Sequence, residues 1–270
     1  SVTGVQTCAL PICRGAMDDW VTVSLIAAGA VAAFAYMQHA KQTKAPIIDL
    51  GLLAIPTCRA AVVGGFLFRA GIGALPFLLP MMLQVGFGLS ALSSGLITFA
   101  AAAGALTMKF AAGPLLRALG FRRVLVWNVV VSGAFLLANG FFEPSTPHWL
   151  IFMVLLIGGF FRSLQFTAMQ ALSFADVPPE RMSRATSLGS MVQQLAQSVG
   201  VAFGAMVLHL TVAFHGNGAV GASDFFPAFA GIALVSLAAI LFFLPLAHDA
   251  GAEVSGHRLS APAEREKAAD

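Results

Sequence analysis

Charge is what this sequence most conspicuously lacks. Only 10% of its 270 residues are Asp, Glu, Lys or Arg, against 58% hydrophobic, and the mean hydropathy is +0.86. A soluble domain carries about a quarter charged residues, and a chain of this length folded in water would need a polar surface that these residues cannot supply. Acids are absent from the long apolar runs altogether. Cysteine is limited to Cys8, Cys13 and Cys58, with no paired framework and no metal-ligand spacing, so no disulfide scaffold, metal or cofactor is expected. His-Glu-x-x-His, Gly-x-Ser-x-Gly and a phosphate loop are missing, as is any intramembrane carboxylate pair, which argues against an enzyme. The formal charge of +3 and a pI near 9.0 could suit nucleic acid. The basic residues cluster between apolar runs, however, so membrane topology explains them and no nucleic-acid partner is expected.

What the sequence does have is apolar length. Runs at about 20–37, 57–83, 90–112, 123–142, 148–173, 184–212 and 225–247 each approach or exceed the ~20 residues needed to cross hydrocarbon. Turn formers separate them: Gly86-Phe87-Gly88, Glu143-Pro144-Ser145-Thr146-Pro147, Val177-Pro178-Pro179-Glu180 and Gly216-Asn217-Gly218. The fold class expected is an all-α membrane protein of about seven transmembrane helices. Its parts are a non-native or disordered leader (1–17), a single transmembrane helix (18–38), a cytoplasmic linker (39–56), a six-helix bundle (57–247) and a disordered cytoplasmic tail (248–270). Residues 1–16 precede the first Met and resemble translated adapter sequence rather than a signal peptide.

The stretch from Gly113 to Arg123 organises the topology. Arg117, Arg122 and Arg123 lie within seven residues, between two apolar spans, and read as a cytoplasmic loop. Lys41, Lys44, Arg59, Lys109, Arg181, Arg184, Arg258, Arg265 and Lys267 fall on the same side, whereas the opposite side has only Arg14. The C-terminus is therefore expected to be cytoplasmic, in a multi-pass protein of the inner (plasma) membrane.

The last six spans divide into two triples with one order. The second span carries Arg69 and ends near Gln84; the fifth carries Arg162, Gln165 and Gln170. The third and sixth are rich in small residues, Ala100 to Gly104 and Gly200-x-x-x-Gly204, which allow close helix approach. The fourth and seventh are nearly all apolar and suited to lipid on every side. Triples with an odd number of helices are inverted relative to each other, giving a 3+3 inverted repeat.

Several motifs resemble the major facilitator superfamily. Gly113-x-Leu115-x-x-x-x-Gly120-x-Arg122-Arg123 is similar to its basic loop signature, with Arg117 where the family's N-terminal copy has an acid. Pro46-Ile47-Ile48-Asp49-Leu50, the run Gly158–Phe166 and the run Val177–Thr186 are similar to segments of the C-terminal half of its fourteen-helix drug:proton antiporter group. The resemblance implies one half-bundle of a secondary transporter, part of a longer chain. It implies export of small amphipathic or drug-like compounds by proton antiport, and partners comprising the lipid bilayer, a small-molecule substrate, protons, and a missing N-terminal half or a second copy. The alternative is a non-transporting membrane scaffold or subunit that pairs with another bundle.

Arg69 lies ten residues beyond Arg59, about 15 Å along a helix, and Arg162, thirteen residues after Trp149, is also far from either end of its span. An unsatisfied mid-bilayer cation costs at least ~2.5–3.5 kcal/mol, so both should face protein or a wet cavity. The candidate translocation residues are Arg69, Gln84, Arg162, Gln165, Phe166 and Gln170. A structural role, bonding carbonyls or holding an inner gate shut, stands beside that reading for each arginine. Gln193, Gln194, Gln197, Gly200 and Gly204 are candidates for a bundle interface, interhelical hydrogen bonding being favoured over substrate contact. The cation asymmetry predicts that a reporter fused after Asp270 is cytoplasmic and one inserted at Gly218 is external; both on one side would refute the topology.

Overall fold

Proline, glycine and the apolar runs set the helix boundaries. The computed structural model describes residues 49–215, 221–247 and 250–255, with Ser24, Ala27, Gly29, Val31, Phe34, Ala35, Tyr36 and Gln38, which are helical. The first expected span lies outside the described residues apart from those positions, as do the leader, the linker before Asp49, and the tail after 255. Five described helices are long and apolar enough to cross a membrane. We label α1 as Pro56–Gly86, and the 49-residue helix Ala91–Asn139 as two helices, α2 (91–119) and α3 (121–139). His148–Phe174 is α4, Met182–His215 is α5, and Ala222–Phe243 is α6. A short helix α7 (Ala252–Ser255) follows.

Division of the 49-residue helix at Gly120 follows from geometry. Straight, it would measure about 73 Å, more than twice the hydrocarbon thickness. Gly120 adopts φ 72° and ψ 161°, a conformation that side chains disfavour, and the chain reverses there. The contacts with α4 prove the reversal. Gly104 abuts Leu156 and Gly158 abuts Phe135, so residues on both sides of Gly120 meet α4 at the same level. The expected basic loop 113–123 is thus helical except at Gly120. Pro114 is accommodated within the helix, and α2 runs to 119 instead of stopping at 112.

Helix α1 is irregular for identifiable reasons. It contains π turns at Ala60–Gly64 and Met82–Gly86 and a break at Ala74, just before Pro76, whose ring nitrogen cannot donate to the preceding turn. Irregular backbone at membrane depth is tolerated where neighbouring helices cover it, and α1 is the most buried of the spans.

Two crossings of the same kind hold the triples together. Gly104 of α2 sits against the Leu156 carbonyl of α4, and Gly159 of α4 against the Ala101 carbonyl. Gly200 of α5 sits against the Ala70 carbonyl of α1, and Gly204 faces the Ala74 side chain. Each small-residue helix therefore packs on the polar helix of the other triple, the exchange expected of inverted repeats. Helices α3 and α6 are not wrapped in lipid all round, contrary to the expectation for them. Asn128, Val129, Ser132 and Leu136 of α3 are buried, as are Phe225, Phe229 and Ile232 of α6, whereas Trp127 and Leu234 on their opposite faces are exposed.

One end of the bundle collects the cations. Thr57 Oγ1 at the start of α1 donates to Asp176 Oδ2 after α4, at 2.7 Å. Arg122, just after the Gly120 turn, donates from Nε and Nη2 to the Leu244 carbonyl after α6, at 3.2 and 2.9 Å. Asp49 pairs with Arg184 at 3.6 Å and Arg181 at 3.9 Å. Residues 49–54, expected within the cytoplasmic linker 39–56, include a 3-10 turn (Leu50–Ala54) whose Leu52 is buried against Cys58, Val177, Ala185 and Leu188. The early tail is likewise placed: Gly251 lies against Phe121 and Leu172. At the opposite end, Phe141 and Phe226 meet at 4.9 Å.

Because Cβ atoms at 104 or 200 would collide with backbone, Gly104→Ala and Gly200→Ala are each expected to lower the thermal unfolding midpoint, at a cost of about 1–3 kcal/mol. Gly95, with nothing within 4 Å of its Cβ position, is the control: Gly95→Ala should be neutral or stabilising by up to ~1 kcal/mol. Unfolding of the three variants in detergent checks this, and equal midpoints would refute it.

Candidate functional site

A cavity of about 560 Å³ opens between α1, α4 and α5, lined by Arg69, Phe166, Thr167, Gln170, Ala171, Phe174, Gln193 and Gln197. It extends about 12 Å along α4, from Phe166 to Phe174, toward the cation-rich end. Arg69 is roughly 20 Å along α1 from Pro56, close to the middle of that 31-residue helix.

Arg69 is held by packing rather than by an acid. Its Cζ lies 5.5 Å from the Phe166 ring centroid, a cation–π contact, and Phe166 is fixed in turn by an edge-on contact with Phe68 at 5.7 Å. The guanidinium folds back over Gly65, where a Cβ would stand 2.8 Å from Nη1 and 3.4 Å from Met169 Sδ. Glycine at 65 leaves the room that this rotamer uses. Among the described residues Arg69 has no hydrogen-bond or ion-pair partner, and every other polar side chain in the wall is neutral.

The structure redistributes the sequence candidates. Arg69, Phe166 and Gln170 meet in the cavity, joined by Gln193 and Gln197 from the group expected at a bundle interface. Gln165 does not join them. It is fully buried on the α3 side, where its Oε1 accepts from Asn128 Nδ2 at 2.8 Å and its Nε2 donates to the Leu125 carbonyl at 3.3 Å. Residues 165 and 166 are one step apart on a helix and so point about 100° apart, into different surroundings. Gln84 is at the far end of α1, its Nε2 donating to Ser94 Oγ at 3.5 Å. Arg162, half-buried one turn before Phe166, is not in the cavity wall and has no hydrogen-bond partner among the described residues. Gly200 and Gly204 are occupied by α1 within the bundle, so they do not offer an open interface, and Gln194 is exposed. Gly113, Arg117, Gly120, Arg122 and Arg123 surround the α2–α3 reversal, away from the cavity. Thr167, Ala171 and Phe174 were missed; their spacing of four and then three residues is the signal that Thr167 begins a second stripe on α4.

Six apolar rods in two inverted triples, with a cation-bearing cavity on one face, make this a polytopic all-α membrane protein. The chain belongs to the Major Facilitator Superfamily, whose sequence model matches residues 61–267. Relatives include "Putative multidrug resistance protein MdtD" of Salmonella paratyphi B, of Salmonella heidelberg and of Salmonella typhi. Each is 35% identical over 194 residues, 71% of this chain and 41% of the relative. The chain thus spans less than half the length of the curated relatives it matches.

The two glutamines of α4 should separate by experiment. Gln165→Leu removes buried hydrogen bonds and is expected to lower stability by about 0.6–1.7 kcal/mol, whereas Gln170→Leu on the cavity wall should stay within about 0.5 kcal/mol of the unaltered chain. Denaturation in mild detergent reads both, and a reversed order would contradict the assignment.

Proposed function

We propose that this bundle forms one wall of the pathway by which a secondary transporter exports small amphipathic compounds. The observation that carries the reading is the Arg69 cavity, which is open, near mid-helix, and lined by both rings and amides. Ligand sites of such transporters lie near the membrane midplane between two half-bundles. The relatives' printed name, multidrug resistance protein, supports drug-like substrates for this chain too. A second six-helix bundle, from a longer chain or a second copy, would supply the opposing wall.

Proton antiport is part of the proposal, with the proton carried outside α1–α6. A proton carrier within the membrane is ordinarily a carboxylate that alternates between charged and neutral forms. Asp49, Glu143, Asp176, Glu180, Asp224 and Glu253 all stand at helix ends or beyond them. The proton site would then belong to the opposing bundle. We place the cation-rich end, and with it the C-terminus, on the cytoplasmic side, by the positive-inside rule.

Two measurements test the reading. Single cysteines at Thr167 and Gln193, in a background without the native cysteines, should react with a membrane-impermeant maleimide, and one at the lipid-facing Ala134 should react at least about tenfold more slowly, because thiol chemistry requires water. Equal rates would favour a scaffold with no wet pathway. Liposomes containing this chain alone, given a pH gradient and an amphipathic dye, should leave the dye unmoved. Gradient-driven movement abolished by an uncoupler would show instead that two copies suffice.

A further inference from the structure

The wall of the cavity carries a charge that nothing in the described structure neutralises. Arg69 is only 9% exposed, about midway along α1, and its nearest polar neighbours in the wall, Gln170, Gln193 and Gln197, are uncharged. The carboxylates closest in sequence to the cavity walls are engaged elsewhere: Asp176 accepts from Thr57, and Asp49 holds Arg181 and Arg184. A guanidinium at this depth is costly unless an anion or protein oxygens meet it. The ring of Phe166 covers one part of it and Gly65 admits another, but neither supplies an acceptor. The donors of a planar guanidinium match a carboxylate best, in a two-point hydrogen bond.

We propose that this cavity is a binding site for organic anions, aromatic or apolar compounds bearing one carboxylate or sulfonate, with Arg69 holding the acid group and Phe166 and Phe174 flanking the apolar body. The inference rests on reading the cavity as part of a transport pathway and goes beyond it by fixing the sign of the ligand's charge. A lipophilic cation would meet an uncompensated positive charge at the deep end of this wall. An anion removes the desolvation penalty of Arg69 by binding, so its acid group gains more here than it would in water. The amides of Gln170, Gln193 and Gln197 can donate to or accept from substituents along the compound, which suits a range of ligands and selects none by charge.

The test uses the 270-residue chain in lipid nanodiscs and three probes that differ only in the polar group: 2-naphthoate, 2-naphthamide and 2-naphthylmethylammonium. Equilibrium dialysis at neutral pH, corrected with empty nanodiscs, gives each affinity. The acid is expected to bind at least about tenfold more tightly than the amide, a difference of about 1.4 kcal/mol, and the ammonium more weakly than the amide. Arg69→Gln should bring acid and amide within about twofold, while Arg69→Lys should retain a preference for the acid, because it keeps the charge but loses the fork. Comparison of the three probes on the unaltered chain decides the matter even if a variant fails to fold. An ammonium probe that binds as well as the acid, or better, overturns the anion assignment and leaves the pathway reading standing. An Arg69→Gln variant that is folded by circular dichroism and keeps the acid preference overturns the role of Arg69. If none of the three probes binds above the empty-nanodisc level, the anion site falls, while the pathway reading is decided separately by the maleimide reactivity of Thr167→Cys and Gln193→Cys.

Discussion

Close contact between backbones is the constraint on which the rest of this bundle depends. Within hydrocarbon there is no water to reward the meeting of apolar side chains, so helices associate through van der Waals contact and polar contacts, and small residues are what bring them near enough. Gly104 and Gly159 let α2 and α4 touch backbone to backbone, and Gly200 lets α5 touch α1 at Ala70. Each crossing ties one triple to the other, so neither triple is a unit on its own. The position of the cavity follows. Where α5 crosses α1 at Ala70, Arg69 is the adjoining residue, and the space beside it is lined by Gln193 of α5 and by Phe166 and Phe174 of α4.

A second set of contacts closes that end of the bundle. Asp49 is shared by Arg181 and Arg184, Thr57 donates to Asp176, and Leu52 is buried between the start of α1 and the start of α5. Exposed ion pairs contribute little, about 0–1 kcal/mol each, and Arg181 is half exposed. The burial of Leu52 with Cys58, Val177 and Leu188 is therefore the larger stabilising element, and the ion pairs set the register of the segment. These contacts join α1 to the α4–α5 connection, the two elements whose separation would widen or narrow the cavity.

The sequence declared the helices far better than it declared their faces. Apolar length and turn residues located all six rods, because hydrocarbon admits little else than closed backbone hydrogen bonding. The loop at 113–123 was placed correctly as a reversal but given too much length. Clustered arginines mark which side of a membrane a segment lies on, and they do not distinguish a loop from the end of a helix; the single positive φ at Gly120 is invisible without coordinates. Arg69, Phe166 and Gln170 could be grouped from spacing and polarity. Gln165 could not be separated from them, since a glutamine that bonds Asn128 across a helix pair and one that lines a cavity look alike in a sequence. Asn128 itself, from a span with hardly another polar residue, was the unused clue: a lone amide in such a helix needs a partner on a neighbour.

Arg69 and Arg162 show how one residue type acquires two fates at similar depth. Arg69 is buried and Arg162 half-buried, and neither has an acid partner among the described residues. Arg162 lies one turn before Phe166 on α4, yet remains outside the cavity wall. Arg69 projects from α1 across to the Phe166 ring, using space that Gly65 leaves free. What separates them is the surface opposite: α4 presents the Phe166 ring and an open space to Arg69, whereas Arg162 is not among the residues lining that space. Both triples carry a mid-helix cation, and the space beside Arg69, bounded by Phe166, Gln170, Gln193 and Gln197, is what opens that one to a ligand.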